Sequence, residues 1–234
     1  MYFFKSRLKD GLRALFNRHY VQSVPIQKIL NRTGIHTIRN FIQIGSNDGL
    51  KNDPLRKNIL AGNWKGILVE PDYNNFQKLI QNYSGVQGLV FENTGIADRN
   101  GSLTFHYIEH VNEKDPGWFD QIGSFDKNTF LKNISFHPDL TARHTTIEIE
   151  VMTIRTLIQK HQVHYLDLLH TDTEGYDFKI LKDLDLDKLN PRIIIFESEW
   201  MTGFELGELL DKFRTHHYKI YKDGIDHIAC REGR

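Results

Sequence analysis

Residues 41–49 read Phe-Ile-Gln-Ile-Gly-Ser-Asn-Asp-Gly, a short apolar strand that runs into a turn carrying two glycines. In an open α/β sheet, the loop after the first strand lies where the strand order reverses, and its backbone amides face a ligand. Gly45 and Gly49 permit a close approach of the backbone to that ligand. The stretch therefore predicts a cofactor-binding turn at the carboxyl edge of a parallel sheet.

The interior of this turn is polar. A dinucleotide fingerprint has the pattern Gly-x-Gly-x-x-Gly, so that a pyrophosphate can lie against bare backbone. Here Ser46, Asn47 and Asp48 occupy the interior. Such side chains suit a ligand that carries an ammonium and a carboxylate, as S-adenosylmethionine does, better than a doubly charged pyrophosphate. We therefore expect S-adenosylmethionine rather than NAD.

A second strand over residues 66–70 ends at Glu70 and is followed by Pro71. An acidic residue at this strand end can accept hydrogen bonds from both hydroxyls of a ribose. Glycines after a first strand also serve tight turns that bind nothing, so the turn and Glu70 together leave a purely structural interpretation open.

Strands and helices alternate over the rest of the chain in the manner of βαβ units. Apolar runs predict further strands at residues 89–91, 166–169 and 192–196, and the last run suits a sheet covered on both faces. Asp223 and Gly224 separate two short strand-like segments, which is typical of a hairpin because the turn needs positive φ. We predict an α/β fold of the Rossmann-like class I methyltransferase type, with a mostly parallel seven-stranded sheet and a C-terminal antiparallel hairpin.

Composition sets limits on the class of protein. Because 30 Lys and Arg balance 30 Asp and Glu among 234 residues, no net charge favours a nucleic-acid partner. Cys230 is the only cysteine, which excludes an intrachain disulfide and the cysteine zinc motifs. No apolar run reaches transmembrane length, and charges from Lys5 onwards interrupt any signal-peptide apolar region. We expect a soluble cytoplasmic protein.

Two regions fall outside the predicted core. Residues 1–40 place apolar residues at helical spacing among basic ones, and we predict an N-terminal helical extension. It could pack on the body, pair with a second copy, cover the substrate or contact a membrane surface. Residues 41–234 form the predicted methyltransferase domain. Within it, residues 107–146 are long, polar and rich in aromatic side chains, and we predict a substrate-covering insertion.

Four segments together resemble the FkbM-type methyltransferase family. They are residues 41–49, residues 69–71, residues 92–101 and residues 167–177, in the order that the family has them. The Asp-x-Glu-Gly-Tyr-Asp pattern that begins at Asp172 is the most specific of them. The resemblance implies a class I methyltransferase fold, S-adenosylmethionine as methyl donor and, commonly, hydroxyl methylation on sugars or glycosylated natural products.

By position, the resemblance implies that the first turn holds the methionine end of the cofactor. It also implies that Glu70 binds the ribose and that residues 93–95 lie near the adenine. The predicted cofactor-binding residues are Gly45, Ser46, Asn47, Asp48, Gly49, Glu70, Pro71, Asn93, Thr94 and Gly95.

Two positions depart from the family pattern. Gln43 stands where such first strands often carry Asp or Glu, which shifts the predicted ammonium contact to Asp48 or Asp172. His170 stands where the family often has Lys. The second departure leaves open which residue acts as the catalytic group.

An alcohol acceptor must lose its proton, and this is the only task that needs an ionisable residue. Asp172 follows the fourth strand, and the alternation of side chains puts His170 on the same side. We predict Asp172, His170 and Glu174 as catalytic residues. The structural alternatives stay open, because both acids could stabilise the start of the next helix and a histidine among 12 is commonly structural.

Glu197 and Glu199 follow the fifth strand and are expected to point to one side. With Asp172 and Glu174 they are candidate ligands for Mg²⁺ or Mn²⁺, since both ions prefer oxygen ligands. A bound cation would acidify a sugar hydroxyl. The sequence thus predicts a metal site whose ligands come from two strand ends.

We predict an S-adenosylmethionine-dependent methyltransferase that O-methylates a sugar hydroxyl on a nucleotide-sugar, polysaccharide or glycosylated natural product. The alternatives are an N- or O-methyltransferase of a lipid, peptide or amide, an NAD-dependent sugar oxidoreductase or epimerase, and a non-catalytic cofactor-binding protein. Expected partners are a saccharide acceptor and a second copy of the chain through the N-terminal helix, with no nucleic acid and no membrane span.

Overall fold

A computed structural model describes residues 21–34, 38–62, 64–109, 111, 115–116, 118–135 and 137–231. The strands are β1 (Gln22–Ser23), β2 (Asn40–Ile44), β3 (Lys65–Val69), β4 (Leu89–Glu92), β5 (Gly95–Ala97), β6 (Gly101–Ile108), β7 (His144–Thr153), β8 (Leu168–Thr171), β9 (Ile193–Glu197), β10 (Lys219–Asp223) and β11 (Asp226–Cys230). The helices are α1 (Ile26–Arg32), α2 (Arg56–Ala61), α3 (Tyr73–Asn82), α4 (Lys127–Ile134), α5 (Pro138–Arg143), α6 (Ile154–Lys160), α7 (Asp177–Lys182) and α8 (Gly203–Thr215).

Eight of these strands form one sheet in the order β1-β10-β11-β9-β8-β2-β3-β4. The five strands from β9 to β4 are parallel to one another, whereas β11 is antiparallel to both of its neighbours. The predicted count of seven, mostly parallel strands is therefore corrected to a mixed sheet of eight, because the two-residue β1 pairs with β10. The chain adds strands on one side of β2 and then on the other, so β2 lies at a topological switch point.

The sheet is covered on both faces, and β9 shows why its sequence is continuously apolar. Successive side chains of a strand point to opposite faces. Ile194 and Phe196 belong to one core, where Phe196 packs on Phe213 of α8 at 5.6 Å between ring centroids. Ile193 and Ile195 belong to a second core that also contains buried residues of α1. Each fully buried side chain of this kind stabilises the fold by roughly 1.5–3 kcal/mol.

A second sheet of three strands has the order β5-β7-β6. The chain between β6 and β7 forms α4 and α5, whose buried Phe130, Ile134 and Leu140 belong to a third, separate core. This segment coincides with the predicted insertion at residues 107–146, although β6 and β7 extend into that range at either end. Its role over a substrate stays a prediction.

The predicted N-terminal helix falls mainly on residues 1–20, which lie outside the described residues. Residues 21–34 contain β1 and α1, and α1 buries Ile26, Ile29 and Leu30. None of the described helices combines the length and the apolar character needed to cross a membrane. The cytoplasmic location and the pairing of two copies stay predictions.

Candidate active site

A cavity of about 840 Å³ opens at the carboxyl ends of four parallel strands. Its wall includes Ile44 of β2, Val69 of β3, Asp172 just after β8 and Glu197 of β9. A volume in this range is typical of sites that hold a cofactor or a substrate. Because the cavity lies at the switch point of the sheet, it is the candidate active site.

The first turn of the cavity is held against the strands on both sides of β2. The backbone amides of Gly45 and Ser46 each donate to the carbonyl of Val69 at 3.0 Å, and the amide of Asp172 donates to the carbonyl of Ile44 at 3.0 Å. Gly45 has φ of +78°, and a Cβ placed on it would overlap the carbonyl oxygen of Asp172. Only glycine lets the turn pass this close to the end of β8.

The middle of the turn is fixed by its own polar groups. The amide of Asn47 donates to Oε2 of Glu70 at 2.7 Å, and Asn47 has φ of +48°. Oδ1 of Asp48 accepts from the amides of Leu50 and Lys51, both at 2.9 Å. The carboxylate of Asp48 therefore closes the turn, and Asp48 does not line the cavity.

Six of the ten predicted cofactor-binding residues line the cavity, namely Gly45, Ser46, Asn47, Glu70, Pro71 and Thr94. Asp48, Gly49, Asn93 and Gly95 do not line it, and each contacts other parts of the protein by hydrogen bonds or by packing. A Cβ on Gly49 would overlap the side chains of Leu79 and Tyr83. A Cβ on Gly95 would overlap the ring of Phe125. Nδ2 of Asn93 donates to the carbonyls of Glu70 and Pro71, at 2.9 and 3.0 Å. These four residues therefore contact the residues that line the cavity or pack next to them.

Glu70 is a buried acid with both oxygens engaged. Oε1 accepts from the amide of Asp72 at 2.9 Å, and Oε2 accepts from the amide of Asn47. Burial raises the pKa of Glu70 to about 8, although these two amides act in the opposite direction. A carboxylate oxygen has two acceptor sites, so each oxygen can still accept a hydroxyl donor from a ligand.

We expect the metal-free protein to lose stability between pH 7 and pH 8. An unfolded glutamate releases its proton near pH 4.5, whereas folded Glu70, with a pKa of about 8, keeps its proton through most of this window. The folded state then binds more protons than the unfolded state, so stability falls as pH rises, by about 1 kcal/mol from Glu70 alone. Burial also raises the pKa of Glu174 to about 7, which acts in the same direction.

Urea unfolding at pH 7.0 and pH 8.0 measures this loss. His170, whose pKa burial lowers from 6.5 to about 4, is neutral in the folded protein throughout the window, and it reduces stability chiefly below pH 6.5, where the unfolded histidine binds a proton. Glu70→Gln, which cannot ionise, is the matched control and should show a smaller loss. A wild-type protein that gains stability over this interval would contradict the expectation.

Three carboxylates converge at the end of the cavity next to β8 and β9, on the side of β2 away from β3 and Glu70. Asp172, Glu174 and Glu197 each contribute one oxygen to a group whose atoms all lie within 4.8 Å of one another. Burial, followed by repulsion from Asp172, raises the pKa of Glu197 to about 11. The side chain of Asp172 is open to the cavity, yet poor solvation in its depth and repulsion from Glu174 raise its pKa as well. This end of the cavity disfavours three negative charges without a cation.

Glu174 is positioned by residues from outside this group. Its Oε2 accepts from Nε1 of Trp200 at 3.0 Å and from Nδ2 of Asn133 at 3.1 Å. Its carbonyl accepts from Oγ of Ser124 at 2.6 Å. Because Asn133 and Ser124 belong to the insertion, the insertion holds the loop that follows β8.

His170 and Gln43 form a polar pair on the cavity floor. They lie opposite each other in the register of β2 and β8, and both are buried. Within the described chain, Nδ1 of His170 and Oε1 of Gln43 have no hydrogen-bond partner, whereas Nε2 of Gln43 donates to Asp53 at 3.1 Å. These two atoms could bind a ligand group that donates hydrogen bonds.

The structure changes the membership of the predicted metal site. Asp172 and Glu197 belong to the group of three, but Glu199 does not, and it does not line the cavity. Glu174, predicted both as a catalytic residue and as a possible metal ligand, is the third member of the group. The three predicted catalytic residues, Asp172, His170 and Glu174, all line the cavity.

Asp120 anchors the insertion to the rest of the domain, and no sequence pattern predicted this contact. The carbonyl of Asp120 accepts from Nδ2 of Asn75 at 2.6 Å, and its carboxylate accepts from Nζ of Lys51 at 2.9 Å and Nζ of Lys78 at 3.2 Å. These partners lie in α3 and in the segment after the first turn. The insertion is thus tied to the cofactor end of the cavity as well as to Glu174.

The cavity wall is strongly acidic although the whole chain is neutral. Among the described residues that line it, Lys51 and Lys78 are the only lysines or arginines, and both are paired with Asp120. Nine carboxyl residues line the same wall: Asp53, Glu70, Asp72, Glu109, Asp120, Asp172, Glu174, Glu197 and Asp226. Such a wall attracts cations and repels phosphates.

Residues 43–220 match the family model of the methyltransferase FkbM domain. The structure is similar to that of methyltransferase FkbM from Methylobacillus flagellatus KT, with 12% identity and a TM-score of 0.50 over 82% of this chain and 43% of that one. At this identity the likeness concerns the fold, which is a methyltransferase-like α/β fold. The chain spans less than half the length of that protein.

Two further solved structures show weaker similarity. The N-terminal domain of human METTL16 in complex with SAH has 13% identity and a TM-score of 0.42, over 92% of this chain and 73% of that one. Precorrin-6y C5,15-methyltransferase from Geobacter metallireducens GS-15 has 9% identity and a TM-score of 0.41, over 90% and 95%. No curated protein sequence matches the chain.

Proposed function

Because the chain belongs to the FkbM methyltransferase family, we propose that its cavity binds S-adenosylmethionine and transfers the methyl group to a hydroxyl of a saccharide. The observation that carries this proposal is an acidic cavity at the switch point of the sheet, with Glu70 at one end and three converging carboxylates at the other. S-adenosylmethionine carries a sulfonium and an ammonium against a single carboxylate. Its net positive charge suits such a wall, whereas the pyrophosphate of NAD does not.

The cofactor end is the part near Glu70 and the first turn. Ribose hydroxyls can donate to the open acceptor sites of Glu70, whose position is fixed by the amides of Asn47 and Asp72. With Asp48 engaged inside the turn, Asp172 is the one of the two proposed ammonium partners that lines the cavity.

Replacing Glu70 by alanine is expected to weaken binding of S-adenosylhomocysteine about ten- to a hundredfold. The reason is the loss of the hydrogen bonds between Glu70 and the two ribose hydroxyls, together worth roughly 1.5–3 kcal/mol. Isothermal titration calorimetry gives the affinity. Glu92→Ala is the matched control, since Glu92 ends the neighbouring strand but pairs with Lys160 and His161 outside the cavity. Wild-type affinity in Glu70→Ala would refute the cofactor assignment.

Carboxyl groups and aromatic rings both line the cavity in which the proposed acceptor would bind. Asp172 and Glu174 can accept hydrogen bonds from hydroxyls, and the rings of Phe105, Tyr107 and Phe125 line the same cavity. A saccharide presents hydroxyls at its edge and an apolar face to such rings. An acceptor phosphate would lie beside carboxylates, and the two described lysines of the cavity wall are both paired with Asp120, which favours a neutral saccharide over a nucleotide-sugar.

In the proposed reaction, the hydroxyl oxygen of the acceptor attacks the methyl carbon in line with the sulfonium. The new O–CH₃ bond takes its electron pair from oxygen, and the breaking S–CH₃ bond leaves its pair on sulfur as a neutral thioether. The hydroxyl proton passes to Asp172, or to neutral His170 below it. The protein therefore supplies alignment, an acceptor for one proton and a cavity that limits access of water.

Mass spectrometry of products tests the acceptor. Incubation with S-adenosylmethionine and a panel of neutral saccharides, nucleotide-sugars, amines and lipids should yield a singly methylated saccharide. A methylated amine or lipid, with no methylated saccharide, would instead favour the alternative acceptor classes.

The competing oxidoreductase function has one feature in its favour. Tyr218 and Lys222 have the Tyr-x-x-x-Lys spacing of a family of NAD-dependent enzymes, but neither lines the cavity and the hydroxyl of Tyr218 donates to the carbonyl of Pro191. Thermal shift decides between the ligands. S-adenosylhomocysteine should raise the melting temperature and NADH should not.

A further inference from the structure

We propose that Asp172, Glu174 and Glu197 bind a divalent cation that prefers oxygen ligands, such as Mg²⁺ or Mn²⁺, at the acceptor end of the cavity. The residues come from the segment after β8 and from the last residue of β9. Binding of the cation stands independently of methyl transfer. Only its role beside the acceptor rests on the proposed function.

The distances suit one ion. All three contributing oxygens lie within 4.8 Å of one another. Oxygens on opposite sides of Mg²⁺, at about 2.1 Å each, are about 4.2 Å apart, and those around Ca²⁺, at about 2.4 Å each, are about 4.8 Å apart. A single ion can therefore reach all three carboxylates after small side-chain movements.

A buried, unpartnered oxygen points to the ion independently of the distances. Glu197 is only 4% exposed, and within the described chain its Oε2 has no hydrogen-bond partner. A buried carboxylate oxygen without a donor is costly, and proteins retain such an atom where a ligand completes it. Because Glu197 lines the cavity, a ligand of the cavity can reach it.

Glu174 has the outer contacts expected of a metal ligand. Trp200 and Asn133 both donate to its Oε2, which fixes the carboxylate and leaves Oε1 without these donors. Ligating carboxylates in metal sites are commonly oriented by such hydrogen bonds from surrounding residues. Neither donor belongs to the group of three, so the arrangement supports the site from outside.

The charges lead to the same conclusion. Asp226 lines the cavity opposite Glu197 in the register of β11 and β9 and adds a fourth carboxyl, whereas the two lysines of the wall are paired with Asp120. A divalent cation neutralises the group where no described basic side chain does. With the ion in place, the three acids are held as carboxylates.

Beside the proposed acceptor, the cation would bind the hydroxyl oxygen that receives the methyl group. A bound cation polarises such an oxygen and orients it, which is the role that the three carboxylates cannot perform alone. The fitting acceptor therefore presents at least one hydroxyl, and a vicinal pair would occupy two positions on the ion. Amines are poorer ligands for cations of this class.

Titration of the full, chelator-treated chain with Mn²⁺, followed by the electron paramagnetic resonance signal of the free ion, tests the site without cofactor or acceptor. We expect one saturable Mn²⁺ per chain. Glu197→Gln and, separately, Asp172→Asn should weaken the affinity by about tenfold or more. Glu199→Gln is the matched control and should bind as the wild type does, since Glu199 lies outside the group.

The outcomes separate this proposal from the proposed function. Absence of saturable binding, or equal affinity in the wild type, Glu197→Gln and Asp172→Asn, would overturn the metal site even if methyl transfer is observed. Saturable binding lost in both variants would establish the site even if no saccharide is methylated. Urea unfolding of each variant identifies any loss of binding that comes from a loss of fold.

Discussion

Replacing Gly45 by alanine is expected to abolish measurable binding of S-adenosylhomocysteine and to destabilise the folded chain by several kcal/mol. A residue with a Cβ at φ of +78° costs about 1–2 kcal/mol by itself. The larger part comes from overlap of that Cβ with the carbonyl oxygen of Asp172, which is backbone and cannot rotate away. The turn must then move off β8, and the hydrogen bond between Asp172 and Ile44 is lost with it.

Gly85 provides the control for this experiment. It has a similar φ of +84°, but a Cβ placed on it meets nothing within 4 Å. Gly85→Ala should therefore lose only the cost of the left-handed conformation, about 1–2 kcal/mol, and should bind S-adenosylhomocysteine as the wild type does. Urea unfolding and calorimetry measure both quantities. Equal losses in the two variants would mean that the contact between the first turn and Asp172 has no special importance.

Asp172→Asn is expected to lower turnover about a hundredfold or more while leaving the fold intact. Turnover falls because the acceptor loses a proton acceptor or a ligand of the proposed cation. Stability should stay equal or rise, because poor solvation and repulsion from Glu174 hold the pKa of Asp172 above its usual range, and an amide carries no charge. Single-turnover kinetics measures the loss of methyl transfer, and urea unfolding measures the change in stability.

Asp183→Asn makes the same substitution at an exposed position after α7 and should change neither quantity. Unchanged turnover in Asp172→Asn would remove Asp172 from the mechanism. A parallel fall of turnover and stability would mean that the side chain holds the fold rather than the acceptor. An increase in stability together with a loss of turnover would indicate that Asp172 acts in catalysis at a cost in stability.

The parts of the fold that were predictable are those where a local pattern decides the structure. The apolar run at residues 193–196 is continuous because both faces of β9 are covered, and the predicted first turn follows β2 directly. The pairing of β1 with β10 was missed because two residues with exposed side chains carry no periodic pattern. Such a strand depends on its partner and not on its own sequence.

Within the site, the position of strand ends limited the prediction. Alternation of side chains placed Glu197 and Glu199 on one side, but β9 ends at Glu197, so the strand geometry does not continue to Glu199. Glu174 joins the group through hydrogen bonds from Asn133 and Trp200. Both partners are distant in sequence, and a single sequence gives no signal for such contacts.

The insertion contacts both ends of the cavity through one short piece of chain. Asp120 is bound by Lys51 and Lys78 near the first turn, and Ser124, only four residues later, donates to the carbonyl of Glu174. We expect a displacement that separates Asp120 from its lysines to shift Ser124 as well, because only three residues lie between them. Entry of a ligand near the first turn and the positions of the carboxylates after β8 are therefore expected to be coupled through residues 120–124.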